Sequence, residues 1–258
     1  MGVLVGSIVS KIAKLLTVFL LTFNCLPVSA ETITIAVASN FRATMNEIIS
    51  AFEAEIGHEV RVSYGSSGRF YAQINNGAPF DVFFSADQEK PALLDAQNAL
   101  ASNRFTYAIG ALALWSKSPG LPLEQAELLR QGNFNKLSMA NPRLAPYGIA
   151  ALEVLTSLGL EESTRDKWVQ GESITQAFQF VDSENADLGF VALSQIMQDG
   201  VSSEGSVWLI PPELYKPIKQ DAVLLARGEG NQGAMDFLNY VQSERVKMII
   251  QSYGYQVE

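Results

Sequence analysis

Ser66 and Ser67 stand between Gly65 and Gly68 in the stretch 62–70, V-S-Y-G-S-S-G-R-F, where a strand is predicted to end and a helix to begin. A helix start carries backbone N–H groups without intrahelical partners, and with the helix dipole these favour an anion. The two hydroxyls can cap the helix or donate to a ligand, and the glycines let backbone approach closely. Taken singly, the pattern also describes an ordinary turn and N-cap. It gains weight because similar junctions recur at Ser39-Asn40, Pro146-Tyr147-Gly148 and Ser173-Ile174.

Ligands of open α/β sheets sit beyond the carboxyl ends of the strands, at such helix starts. A cleft lined by these junctions would offer N–H groups and the neutral side chains of Ser39, Asn40, Ser67 and Tyr147. No carboxylate is evident among them. Near neutral pH, phosphate still carries a proton and needs an acceptor. A fully deprotonated tetrahedral dianion such as sulfate or molybdate needs donors only. The residues suit the second kind.

The elements that must position them alternate. Residues 32–37 read as a strand, and Ser39-Asn40 opens a helix with Met45, Ile48, Ile49 and Phe52 on its buried face and Gly57 at its end. Residues 59–64 read as a second strand, followed by a helix from Ser67, a buried strand at 81–85 and a helix near 92–96. This β-α-β-α pattern predicts a mainly parallel sheet flanked by helices. The apolar run 105–116 reads as a crossing into a second lobe of the same kind, with strands at 137–141, 187–193 and 206–210. Helices are expected at 149–158, with 142–148 as a loop before it, and after Ser173. Residues 220–226 read as the return, and two helices close the chain. The expected organisation is an α/β protein of two lobes, 31–109 plus 221–258 and 110–220, with the ligand in the cleft between them.

Composition narrows the function classes. The first thirty residues, with Lys11 and Lys14 before an apolar run and Val28-Ser29-Ala30 as a small-x-small site, read as a secretory signal peptide cut after Ala30. The apolar run is short for a bilayer span. Cys25, the only cysteine, falls in this segment, and Thr22-Phe23-Asn24 before it lacks the small residues expected ahead of a lipidated cysteine. The mature chain therefore has no disulfide and no thiolate chemistry. The formal charge of the whole chain is −9, and removal of Lys11 and Lys14 makes it −11. An acidic chain without a basic stripe is a poor partner for nucleic acid.

Single residues carry less. His58, the only histidine, follows Gly57 and reads as solvated and structural. Arg69 either adds positive potential beside Ser67 or lies exposed on its helix. Asp81 and Asp87 fit strand and cap roles better than a pair of catalytic carboxylates, and Trp115, Trp168 and Trp208 read as core or cleft wall. G-x-S-x-G and H-E-x-x-H are absent, which speaks against a secreted hydrolase, although an acid/base pair of Asp and Glu stays open.

Five segments, in order, resemble the periplasmic molybdate-binding proteins of ABC importers, the ModA type. They are A-V-A-S-N-F (36–41), Y-G-S-S-G-R-F-Y-A-Q-I (64–74), G-A-P-F-D-V-F-F-S-A-D (77–87), N-P-R-L-A-P-Y-G (141–148) and A-D-L-G-F-V-A-L (186–193). The resemblance runs from about Thr32 to the C-terminus. It implies a two-lobed periplasmic binding protein of type II that captures molybdate, and tungstate with it, and docks on a membrane ABC permease. It implies no enzyme activity, no cofactor, no protein ligand to molybdenum, which enters only as the oxyanion, and a periplasmic monomer. Carried over by position, Ser39 and Asn40 match the first loop's ligands and Ser67 the second loop's serine. Ile174 matches a position that gives its backbone N–H. Tyr147 matches the A-P-Y-G branch, in which the tyrosine hydroxyl reaches the oxyanion; Ala192 stands where the other branch has its tyrosine. A receptor for another tetrahedral oxyanion such as sulfate is the alternative within this class.

Overall fold

Seven residues of alternating β-formers open the fold as β1 (Thr32–Ala38), whose interior side chains are buried. The structure is a computed structural model that describes residues 30–198, 201–202 and 204–258. The signal-peptide reading, with Cys25, lies outside the described residues.

After β1 the chain makes a single 3-10 turn (Ser39–Phe41) before α1 (Arg42–Ile56). Met45, Ile48, Ile49 and Phe52 are buried, as their helical spacing requires, and Gly57 ends the helix at φ +88°. β2 (Glu59–Gly65), α2 (Ser67–Asn75), β3 (Val82–Phe84) and α3 (Glu89–Ala96) complete the expected alternation. The run 105–116 is two strands, β4 (Phe105–Gly110) and β5 (Leu112–Ser116), which belong to different sheets.

A short helix α4 (Glu127–Gln131) and β6 (Leu137–Ala140) follow, then α5 (Pro146–Ser157). This helix starts earlier than expected, because Pro146 occupies its first turn, where a missing N–H costs nothing. Tyr147 is therefore a helical residue and not part of a loop. The chain continues through α6 (Glu161–Thr164), β7 (Trp168–Gly171), α7 (Ile174–Asp182) and β8 (Leu188–Ala192). The small hairpin β9 (Met197–Gln198) and β10 (Val201–Ser202), then β11 (Ser206–Leu209), precede β12 (Ile218–Leu224), α8 (Gln232–Val241) and α9 (Glu244–Ser252).

Two five-stranded sheets result, in the orders β2-β1-β3-β12-β4 and β11-β5-β8-β6-β7. Each is mainly parallel and carries one strand of opposite sense, β12 in the first and β5 in the second. The chain passes between them at Ala111 and again between β11 and β12. Each sheet has its own large apolar cluster. One is built on β1, α1 and α8, the other on β6, α5 and β8. Among the described residues no helix is long and apolar enough to cross a membrane.

Candidate functional site

Register sets the site. In the first sheet Ala38 pairs with Gly65, and Val37 with Phe84, so β1, β2 and β3 end together. Ser39, Ser66-Ser67 and Ala86 thus leave one sheet edge side by side. In the second sheet Ala140 pairs with Gly171, which brings the approaches to α5 and α7 to one edge.

The two edges are hydrogen-bonded to each other. Gly68 N–H donates to the Leu144 carbonyl at 3.0 Å. Thr175 Oγ1 donates to the Ser39 carbonyl at 3.1 Å, and Ser194 Oγ to the Asn40 carbonyl at 3.0 Å. Arg69 and Glu172 form an ion pair across the same boundary, both side chains exposed. Gly68 has no room for a side chain: a Cβ there would lie 2.9 Å from the Leu144 oxygen.

All five expected positions, Ser39, Asn40, Ser67, Tyr147 and Ile174, are buried at these edges. Ala38 and Ala86 of the first sheet pack in one apolar cluster with Tyr147 and Ile174 of the second. Ser67 is the first residue of α2 and does not cap it; the N-cap position belongs to Ser66, whose side chain makes no capping bond. Ser67 Oγ instead accepts the Ala86 N–H at 2.9 Å. Its oxygen is engaged, and among the described residues no acceptor takes its proton, so it is left as a donor. Ser66 Oγ is also buried and has no hydrogen-bond partner among the described residues. Ile174 is the first residue of α7, capped by Ser173 Oγ accepting from Gln176 N–H at 3.3 Å. As such, its own N–H has no partner within the helix.

Tyr147 is 1% exposed. Burial holds its hydroxyl well above the ordinary phenol range, with Tyr255, Tyr107 and Tyr215 adding to the rise. It therefore stays protonated and able to donate. Gln220 Nε2 donates to its oxygen at 3.4 Å. Asn40 differs from the expected side-chain ligand. Its Nδ2 already donates to Gln220 Oε1 and to Tyr255 Oη, each at 2.9 Å, so its remaining donor is the backbone N–H. Tyr255 in turn donates to the Asn40 carbonyl at 3.0 Å, which pins the loop. The Tyr107 hydroxyl lies 3.0 Å from Gln220 Oε1 and 3.1 Å from the Ser85 carbonyl and has one proton to share between them.

Gln220, Tyr107 and Tyr255 had no sequence signal as site residues. Gln220 stands between Lys219 and Asp221 in β12, and Tyr107 and Tyr255 carry aromatic rings that read as core.

Beside Ser39 a cleft of about 390 Å³ opens, lined further by Arg42, Tyr64, Ser66, Arg69, Glu172 and Gln176. The Arg42 guanidinium lies 4.1 Å from the centre of the Tyr64 ring, and burial pushes the Tyr64 hydroxyl up to about 12. Arg42, Arg69 and Glu172 thus share this cleft, and of the five expected positions Ser39 is the one that lines it.

The remaining candidates are structural. Asp81 Oδ2 accepts the Thr34 N–H at 2.8 Å, and Asp87 Oδ1 accepts the Lys90 N–H at 2.9 Å. Burial raises the Asp87 carboxyl above its usual range, partly offset by that bond and by the Lys90 charge. His58 is not solvated, as its place after a glycine suggested, but 3% exposed, stacked on Phe52 and accepting the Glu31 N–H on Nδ1 at 3.0 Å. Trp115 and Trp208 are buried. Among the described residues no group of three or more His, Cys, Asp or Glu could hold a metal ion.

Residues 33–256 match the family model described as bacterial extracellular solute-binding protein. The chain is 48% identical over 235 residues to the molybdate-binding protein ModA of Azotobacter vinelandii, covering 91% of this chain and 93% of that one. It is 42% identical to the molybdate-binding protein ModA of Rhodobacter capsulatus, covering 90% and 91%. Its fold is similar to the solved Azotobacter vinelandii periplasmic molybdate-binding protein, with a TM-score of 0.85 and 41% identity over 88% of this chain and 99% of that one.

Proposed function

This chain belongs to the bacterial extracellular solute-binding proteins, and we propose that it captures molybdate, and tungstate with it, for delivery to a membrane ABC permease. It is a binding protein and not an enzyme, and the oxyanion is its cargo and not a cofactor. The observation that carries the choice of ligand is the donor set. Ser67 and Tyr147 have hydroxyl oxygens that each accept an N–H, at 2.9 and 3.4 Å, and each keeps a rotatable proton to give, which Tyr147 can also offer to Tyr255. No carboxylate or ammonium is hydrogen-bonded to either. A dianion with four bare oxygens satisfies such donors, and an anion bearing its own proton leaves that proton unmatched.

The proposed ligands are the hydroxyls of Ser39, Ser67 and Tyr147 and the backbone N–H groups of Asn40 and Ile174. Residues 31–109 with 221–258, and 110–220, are proposed to act as two lobes that close on the anion, the crossings near Ala111 and before β12 serving as hinges. The mature protein, cut after Ala30, is proposed to work in the periplasm as a monomer.

The test is a thermal and calorimetric titration of the mature chain with molybdate, tungstate, sulfate and phosphate. Molybdate and tungstate should raise the melting temperature, sulfate far less, and phosphate not at all. A ligand that binds only the native state stabilises by about 4 kcal/mol at a thousandfold excess over Kd. Equal shifts with phosphate would sink the donor argument, and a sulfate preference would move the protein to another oxyanion.

A further inference from the structure

We propose that Gln220 is a positioning residue that sets the polarity of the Tyr147 hydroxyl, and with it the preference for oxyanions that carry no proton. The proposal rests on the molybdate reading above and names a determinant of its selectivity.

Gln220 is fully buried in β12, at the bulge where the pairing with β4 shifts register. Its Oε1 receives two donors, Asn40 Nδ2 at 2.9 Å and the Tyr107 hydroxyl at 3.0 Å. The amide oxygen lies on that side. Nε2 is thereby turned to Tyr147 Oη at 3.4 Å and can only donate. Nothing separates the two groups: a Cβ on Gly110 would lie 2.7 Å from Nε2 and 2.0 Å from Oη.

A phenol left to itself both donates and accepts. It could take a proton from a hydrogen phosphate as readily as give one to molybdate. With its oxygen approached by the Gln220 N–H, Tyr147 has less capacity to accept, and its own proton, shared with Tyr255 in the ligand-free site, is the one to give to the ligand. The donors run one way, from Asn40 to Gln220 to Tyr147 to the anion, and each bond in such a chain polarises the next. A residue of the returning strand, itself out of contact with solvent, would thus help the site discriminate between oxyanions of similar shape.

Two variants test this. Gln220→Glu keeps an oxygen for Asn40 and Tyr107 but replaces the N–H by an oxygen that draws the Tyr147 proton away from the ligand. Gln220→Met removes the donor without adding charge. They threaten folding by different routes, a buried charge in one and an Asn40 N–H left without its acceptor in the other, so whichever melts cooperatively without ligand is used. Calorimetry near neutral pH gives the molybdate affinity, and phosphate is titrated alone and in competition with molybdate. The expected result is a molybdate affinity lower by about tenfold, with phosphate weakened much less, so that the ratio narrows by close to that factor. The added charge of the Glu variant repels both anions, and the ratio corrects for it. A parallel loss for both anions, with the ratio unchanged, would overturn the proposal and leave Gln220 a packing residue. A wild-type protein with no preference for molybdate over phosphate would refute the reading beneath it, before any variant is compared.

Discussion

Tyr147→Phe is the most informative single change, because the structure separates what it removes from what it keeps. The ring is 1% exposed and packs with Ala38, Ala86 and Ile174, and phenylalanine preserves those contacts. What disappears is one oxygen with two roles: a donor to the proposed dianion and an acceptor for Gln220 Nε2 at 3.4 Å. A hydrogen bond to a charged group contributes about 1.5–3 kcal/mol. At about 1.4 kcal/mol per decade, molybdate affinity should fall roughly ten- to a hundredfold. The unliganded protein should lose far less. Its Gln220 N–H is orphaned, but the bond it gave up is long, so about 1 kcal/mol is the expected cost. Calorimetric titration reads the first effect and ligand-free thermal unfolding the second. Wild-type affinity in the variant would refute the assignment and make Tyr147 a wall of the cleft. A loss of stability as large as the loss of binding would show that the hydroxyl serves the fold and not the ligand.

Three further outcomes are expected. Ser67→Ala removes a donor and also strands the Ala86 N–H, bound at 2.9 Å in the interior, so binding should weaken roughly ten- to a hundredfold and the ligand-free protein should lose about 1–3 kcal/mol; a variant as stable as wild type would mean that water replaces Oγ. Gly110→Ala places a methyl 2.0 Å from Tyr147 Oη and should abolish high-affinity binding while β4 stays paired, which titration combined with circular dichroism can decide. Stability should be level up to about pH 10 and fall above it. Tyr107, Tyr147 and Tyr255 are all raised above their unfolded values, chiefly by burial. Below the unfolded pKa both states hold the phenol protons; above it the unfolded chain releases them first, and stability drains as pH climbs toward the folded values. Unchanged denaturation midpoints well above pH 10 would contradict the burial of these hydroxyls.

How much of this was legible in the sequence depends on whether the controlling interaction is local. Strand ends and helix starts are local, so the junctions at Ser39, Ser67 and Ile174 could be read from turn residues and apolar spacing. The start of α5 was misplaced because Pro146 reads equally as the end of a loop and as a first-turn residue, and only the chain beyond it decides. β7 was missed because W-V-Q-G has neither alternation nor a continuous apolar run, and three of its four residues are at least partly exposed. His58 was read as solvated from its place after a glycine, yet packing of α8 and of Phe52 encloses it. Gln220 was invisible for a stronger reason. Its partners Asn40, Tyr107 and Tyr147 lie 180, 113 and 73 residues away, and between Lys219 and Asp221 a glutamine reads as one more exposed polar residue.

That non-local network also bears on how so acidic a chain can hold an anion. The formal charge of the whole chain is −9, which on average repels an anion. At physiological salt the repulsion of distant carboxylates decays over about 8 Å, while helix-start dipoles and hydroxyl donors act at contact. Arg42 and Arg69 line the cleft beside Ser39, where each has a partner of its own, the Tyr64 ring and Glu172 respectively. A buried arginine at the donor positions would bind any anion tightly and would leave a costly unpaired charge in the empty protein. Neutral donors avoid that cost. They need little desolvation when the site is empty, they do not reward charge alone, and in the proposed site their directions, held from behind by Ala86 and Gln220, would make the number of protons on the ligand the quantity that is read.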